Sequence, residues 1–258
     1  MTIGSEYGCQ EMSINDPQNG HEKSGHFYHR GKDTTRLEAF VDAAFAFALT
    51  LLVISFDAVP QSFDELMIAL RAIPAFLFAF CILAMFWIAH RNWSKRFGLD
   101  TTFATLVSLA LIFVILVYVY PLRAMSTAAM SALTNGWLPS EFYIDNISNT
   151  RSLFALYGTG FFVSNLCLVA LNWHAWRRAD SLALTSEERL LTLYEILAWS
   201  IVGGFGLISL TLAMTLPERL VGLAGWSYMG LTVVMPAFGF VTARLFSARF
   251  PEASPGQS

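Results

Sequence analysis

Apolar residues fall in six long blocks between Leu37 and Phe246, and polar residues collect at the joints and at the two chain ends. A hydrocarbon core about 30 Å thick takes about 20 helical residues to cross. Blocks of that length run over Leu37–Phe56, Glu65–Trp93, Thr101–Leu122, Leu153–Trp173, Leu190–Leu216 and Leu220–Phe246. The pattern predicts an all-α polytopic membrane protein with six transmembrane helices. The second block is long enough to tilt or protrude. The sixth holds Gly222, Gly225, Gly230 and Pro236 and is the one expected to kink. Three regions follow: a polar, disordered tail over 1–35, a membrane domain over 36–247, and a short polar tail over 248–258.

Composition agrees. Of 258 residues, 55% are hydrophobic and 14% charged, and mean hydropathy is +0.52; soluble domains run nearer a quarter charged. A net charge of −3 argues against a nucleic-acid partner. Cys9, Cys81 and Cys167 are too far apart to read as a disulfide framework or a zinc site. His21, His26 and His29 lack a carboxylate or cysteine at ligand spacing and read as part of a solvated tail. There is no Ser-His-Asp arrangement, His-Glu-x-x-His run or phosphate loop, so no enzyme is expected, and no cofactor.

Lysine and arginine set the orientation. With both termini in the cytoplasm, only Arg71, Arg123, Arg151 and Arg219 of the 16 fall outside, a clear positive-inside bias. The chain is expected in the cell (inner) membrane, and in this orientation the loop over 125–150 is the longest outer connection. Trp137, Phe142 and Tyr143 suit an interface there. On the inner side, His174, Arg177 and Arg178 read as an anchoring end to the fourth span, and Gly203, Gly204 and Gly206 as a weak signal for close helix contact in the fifth.

The same orientation brings Arg36 and Asp42 on the first span, Trp87 and His90 on the second, and Asp100 before the third to one cytoplasmic level. An acid inside an apolar helix needs a partner, since an unpaired one costs several kcal/mol, so these groups are expected to meet. At helical spacing, Phe40, Ala43, Phe47, Thr50, Leu51 and Ile54 share a face of the first helix. That stripe reads either as a packing seam, with Thr50 bonded to its own helix, or as a pore lining with hydrophobic rings and one polar rung.

At Arg36-x-x-x-Phe40-Val41-Asp42 the chain resembles the lysosomal and bacterial potassium channels that carry an Arg-x-x-x-Phe-Ser-Asp motif on their first helix. The likeness continues through Ala43 to Leu52 and into Trp87-Ile-Ala-His90, which is similar to the family's Trp-x-x-His. The resemblance implies a homotetramer around a central pore lined by the first helix. It further implies Phe47 at the narrowest point, Leu51 and Ile54 as further rings, and Thr50 favouring potassium. Arg36, Phe40, Asp42, Trp87, His90 and Asp100 would form a bracing network away from the ions. Two departures stand out: Val41 replaces the motif serine, and Phe47 is bulkier than the usual Ile or Leu. The expected function is a passive, potassium-selective cation channel needing only the bilayer and permeating K⁺. The alternatives are a proton-coupled secondary transporter using Asp42 and His90, and a non-conducting membrane scaffold.

Overall fold

The computed structural model describes residues 14–15, 22–24, 26–31, 34–54, 61–140 and 147–251. Cys9, His21, Phe142, Tyr143 and residues 252–258 lie outside these, as does the side chain of Ile54. Helical segments follow the six apolar blocks. They are α1 (Arg36–Ile54), the pair α2 (Phe63–Arg71) and α3 (Ile73–Phe97), α4 (Thr102–Leu133), α5 (Ile147–Arg177), α6 (Ser186–Thr215), and a broken sixth segment. The last begins with 3₁₀ and short helical turns, including α7 (Leu223–Trp226), and becomes regular in α8 (Leu231–Arg249). Its irregular part thus coincides with Gly222, Gly225 and Gly230, while Pro236 is carried inside α8.

Five of the six segments are long and apolar enough to cross a bilayer. The exception is α1, whose 19 residues include Arg36, Glu38 and Asp42 in the first two turns. Local chemistry explains most boundaries. Thr35 and Glu38 cap α1 reciprocally, each side chain accepting from the other's backbone N–H at 3.0–3.1 Å. Pro74 in the first turn of α3 loses no helix bond there, and Gly98 ends α3 in the left-handed region at φ 54°. The expected outer loop over 125–150 is shorter than predicted. Ala- and Met-rich sequence carries α4 on to Leu133, where Asn135 and Gly136, both at positive φ, end it.

The strands β1 (Ile14–Asn15), β2 (Glu22–Ser24) and β3 (Phe27–Tyr28) form a minimal antiparallel ribbon before the bundle. Within the stretch read as a loose tail, residues 26–31 are held firmly. Phe27 is buried, its ring 6.3 Å from that of Phe97 and 4.2 Å beneath the Arg96 guanidinium. Arg30 grips Glu188 with two nitrogens at 2.8 Å each and donates to the Leu182 carbonyl at 2.8 Å. Glu188 is fully buried and also accepts from the backbone N–H of Tyr28 and of Thr185, both at 2.9 Å. A buried carboxylate is tolerated only when paired and hydrogen-bonded, and here four donors meet it. A Cβ on Gly98 would lie 2.9 Å from the Gly31 nitrogen, so the strap passes α3 only because that position has no side chain.

α5 and α6 make the tightest crossing. A Cβ on Gly206 would lie 2.7 Å from the Gly158 carbonyl oxygen, and one on Gly158 would lie 2.8 Å from that of Gly206. Gly203 faces Asn165 at 2.9 Å, whereas Gly204 faces open space. The weak glycine signal of the fifth span is therefore a close backbone contact at Gly206 and a close side-chain contact at Gly203. Since backbone cannot swing aside as a side chain can, Gly206→Val should destabilise the purified protein by about 1–3 kcal/mol or more. Gly204→Ala should leave it within about 0.5 kcal/mol of wild type. Thermal unfolding of both variants checks this, and equal midpoints would dismiss the crossing as a constraint.

Candidate pore-lining site on the first helix

α1 packs against α3 and α4 through Val41, Phe45, Ala48 and Leu52, all buried. Their spacing of four, three and four puts them on one helical stripe. The opposite stripe is uncovered: Arg36, Phe40, Ala43, Phe47, Thr50 and Val53 are exposed on the single chain, Phe40 by 55% and Phe47 by 56%. Leu51 departs from the expected line. It is half-buried on the flank, packed against the core, because a step of one residue from Thr50 turns it 100° around the helix. Val53, not singled out from the sequence, shares the open side.

The Thr50 hydroxyl donates to the Phe47 carbonyl at 2.7 Å. The self-bonding foreseen from sequence is present, one residue along from the anticipated Ala46. With its proton committed, the oxygen keeps lone pairs that only accept, and the residue is exposed on the open stripe. A hydroxyl so fixed still has lone pairs to offer, so its intrahelical bond does not exclude a role as the polar rung of the stripe.

The polar groups at the start of α1 meet in part. The Trp87 indole N–H donates to Asp42 at 2.8 Å, and Arg91 lies over the Trp87 ring at 5.5 Å from its centroid. Asp42 itself remains exposed on the single chain. His90 is 2% exposed and bonds to the Ser108 hydroxyl of α4 at 2.9 Å, with the Trp93 ring 5.9 Å away. No direct hydrogen bond joins His90 to Asp42. Arg36 and Asp100 are both exposed, and the Arg36 guanidinium meets no acceptor among the described residues. The expected single network is thus two separate ties, α1 to α3 through Asp42–Trp87 and α3 to α4 through His90–Ser108. Val41, in place of the motif serine, is a core residue at 1% exposure. Ser108 is the functional neighbour that sequence reasoning missed. Among the described residues no cluster of His, Cys, Asp or Glu could hold a metal ion.

The family model described as endosomal/lysosomal potassium channel TMEM175 matches residues 36–121, the stretch that holds α1, both ties and the open stripe. A potassium channel from Marivirga tractuosa is 31% identical over 227 residues, covering 84% of this chain and 91% of the relative. This chain belongs to the TMEM175 potassium channel family. Among solved structures, a single-residue variant of the potassium channel MtTMEM175, crystallised with a nanobody fusion, is 29% identical. It superposes with a TM-score of 0.74 over 86% of this chain and 99% of that one. A lysosomal potassium-selective TMEM175 homologue from Chamaesiphon minutus shares the fold, with a TM-score of 0.53 at 19% identity over 81% of this chain. The likeness reaches well past the first three helices, further than the motifs alone carried it. As a TMEM175 chain this is a membrane channel protein and not an enzyme.

If the Asp42–Trp87 bond braces α1 against α3, it shows as coupling. A double-mutant cycle of Asp42→Ala and Trp87→Phe should give an interaction energy of about 1 kcal/mol in thermal or denaturant unfolding. Strict additivity would mean the bond holds nothing in place.

Proposed function

We propose that four copies of this chain assemble around a central axis into a potassium-selective channel, with α1 of each copy lining the pore. One observation carries the reading: the stripe of Phe40, Ala43, Phe47 and Thr50 is exposed on the outside of the single-chain bundle. A pore lined by this stripe has to form between copies, which a cyclic arrangement provides. Family membership and the potassium-channel relatives support potassium as the ion and four as the copy number. The lysine and arginine distribution supports an inner-membrane protein with both termini in the cytoplasm. Neither a transporter nor a scaffold is favoured by any contact of Asp42 or His90.

In this reading Phe47 forms the constriction, and Leu51 borders it from the half-buried flank of α1. It lies about 15 Å along the axis from Leu37 at ~1.5 Å per residue, near the bilayer midplane. A ring of phenyl groups there makes a narrow, dewetted neck. Thr50, one turn further on, offers ions an oxygen as they shed part of their water. The weaker hydration of K⁺ makes that exchange easier than for Na⁺. Asp42, Trp87 and His90, through their two ties, act on the helix rather than on the ion.

Reconstituted protein in K⁺ and Na⁺ gradients tests this. Phe47→Ala should wet the neck, raise conductance by at least several-fold and loosen selectivity, while Leu49→Ala, on the side of α1 that packs against its own bundle, should do neither. Identical flux from the two variants would remove α1 from the pore. Thr50→Ala should shift the reversal potential toward lower K⁺ preference with current preserved. An unchanged reversal potential would leave Thr50 with only its intrahelical bond.

A further inference from the structure

A cavity of about 630 Å³ lies where α3, α6 and α8 meet beneath the N-terminal strap, and no α1 residue lines it. Its polar rim includes His29, Arg91, Asn92 and Lys95, and its inner wall Leu191, Ala198 and Phe238. The nearby acids are already engaged. Glu195 pairs with Arg96, and Glu187 lies 3.9 Å from His26. Among the described residues neither Arg91 nor Lys95 has a carboxylate within ion-pair distance. Arg91, Lys95, two histidines and an amide therefore face one cleft, in which Glu195 is taken by Arg96, and among the described residues no carboxylate pairs with Arg91 or Lys95.

We propose that this cleft binds the phosphate headgroup of an anionic phospholipid. The volume falls within the usual range of small-ligand sites, and phosphate is the anion that converging Arg and Lys donors suit. The apolar wall points to a lipid rather than a soluble phosphate. Leu191 and Ala198 belong to α6, and Phe238 to α8 at the end of the broken segment Glu218–Arg249; both segments are long and apolar enough to cross the bilayer, so an acyl chain can continue where the headgroup ends. α8 offers it an open surface, with none of its residues buried. Basic pockets between membrane helices on the cytoplasmic side are a recognised form of lipid site, and the side on which this one opens rests on the orientation proposed above. Arg91 also stacks on Trp87, which donates to Asp42, so an occupied headgroup site is two side chains from α1.

The test titrates the full chain in neutral detergent with phosphatidylglycerol or phosphatidylcholine, counts bound lipid by native mass spectrometry, and adds inorganic phosphate as competitor. It needs no ion flux, so its failure is distinct from failure of the channel reading. Phosphatidylglycerol should bind and phosphatidylcholine should not. Each cation is worth roughly fivefold in affinity, so Arg91→Gln with Lys95→Gln should weaken binding about twenty-five-fold. Arg178→Gln, an exposed cation outside the cleft, should not change it. If the double variant does not fold, Lys95→Gln alone should still show the fivefold loss. Unchanged binding in these variants, equal binding of phosphatidylcholine, or full displacement by inorganic phosphate at the lipid's own concentration would overturn the proposal.

Discussion

One side of α1 is used up by its own chain. Val41, Phe45, Ala48 and Leu52 are buried against α3 and α4, and a helix cannot bury one stripe without presenting the other. The rotation of α1 is therefore set by ordinary side-chain packing, and the Asp42–Trp87 bond ties it to α3 near the start. The outward position of Phe47 and the Thr50 oxygen follows from that rotation. A turn of one residue would swing every side chain on the helix by 100° and bring Leu51 to the front.

α3 is the element to which the rest is anchored. It carries Trp87 for α1, His90 for α4 and, at its end, Arg96 and Phe97 for the N-terminal strap. The strap in turn reaches α6 through Arg30 and the buried Glu188. Ends of helices that are far apart in the chain are thus joined at one level by a few charge-assisted bonds. Removing either member of the Arg30–Glu188 pair would leave the other charge buried or half-buried without compensation, which is why such pairs are costly to break.

The remaining helices differ in how completely they are used. α5 and α6 are in backbone contact at Gly158 and Gly206, and a cluster of Tyr157, Phe161 and Tyr228 rings fills the space beside them. α8 buries nothing, and large apolar side chains such as Phe113, Val117 and Val233 stand exposed. In water such surfaces would be a liability. In a bilayer they are ordinary, because lipid tails are as apolar as the side chains they meet.

How much of this was legible beforehand divides along a physical line. Hydrophobic block length defined the spans, and the 3.6-residue period grouped Phe40, Ala43, Phe47 and Thr50 on one face, because both depend only on neighbours along the chain. The caps Thr35-x-x-Glu38 and Thr185-x-x-Glu188 are of the same local kind and were there to be read. Periodicity says which residues share a face but not what covers it. That Leu51 sits on the flank, that His90 turns to Ser108 rather than to Asp42, and that Arg30 finds Glu188 at a separation of 158 residues were decided by tertiary packing. Each of these partners is chosen by which helices lie side by side and at what rotation, and that choice is made by the whole set of buried surfaces at once.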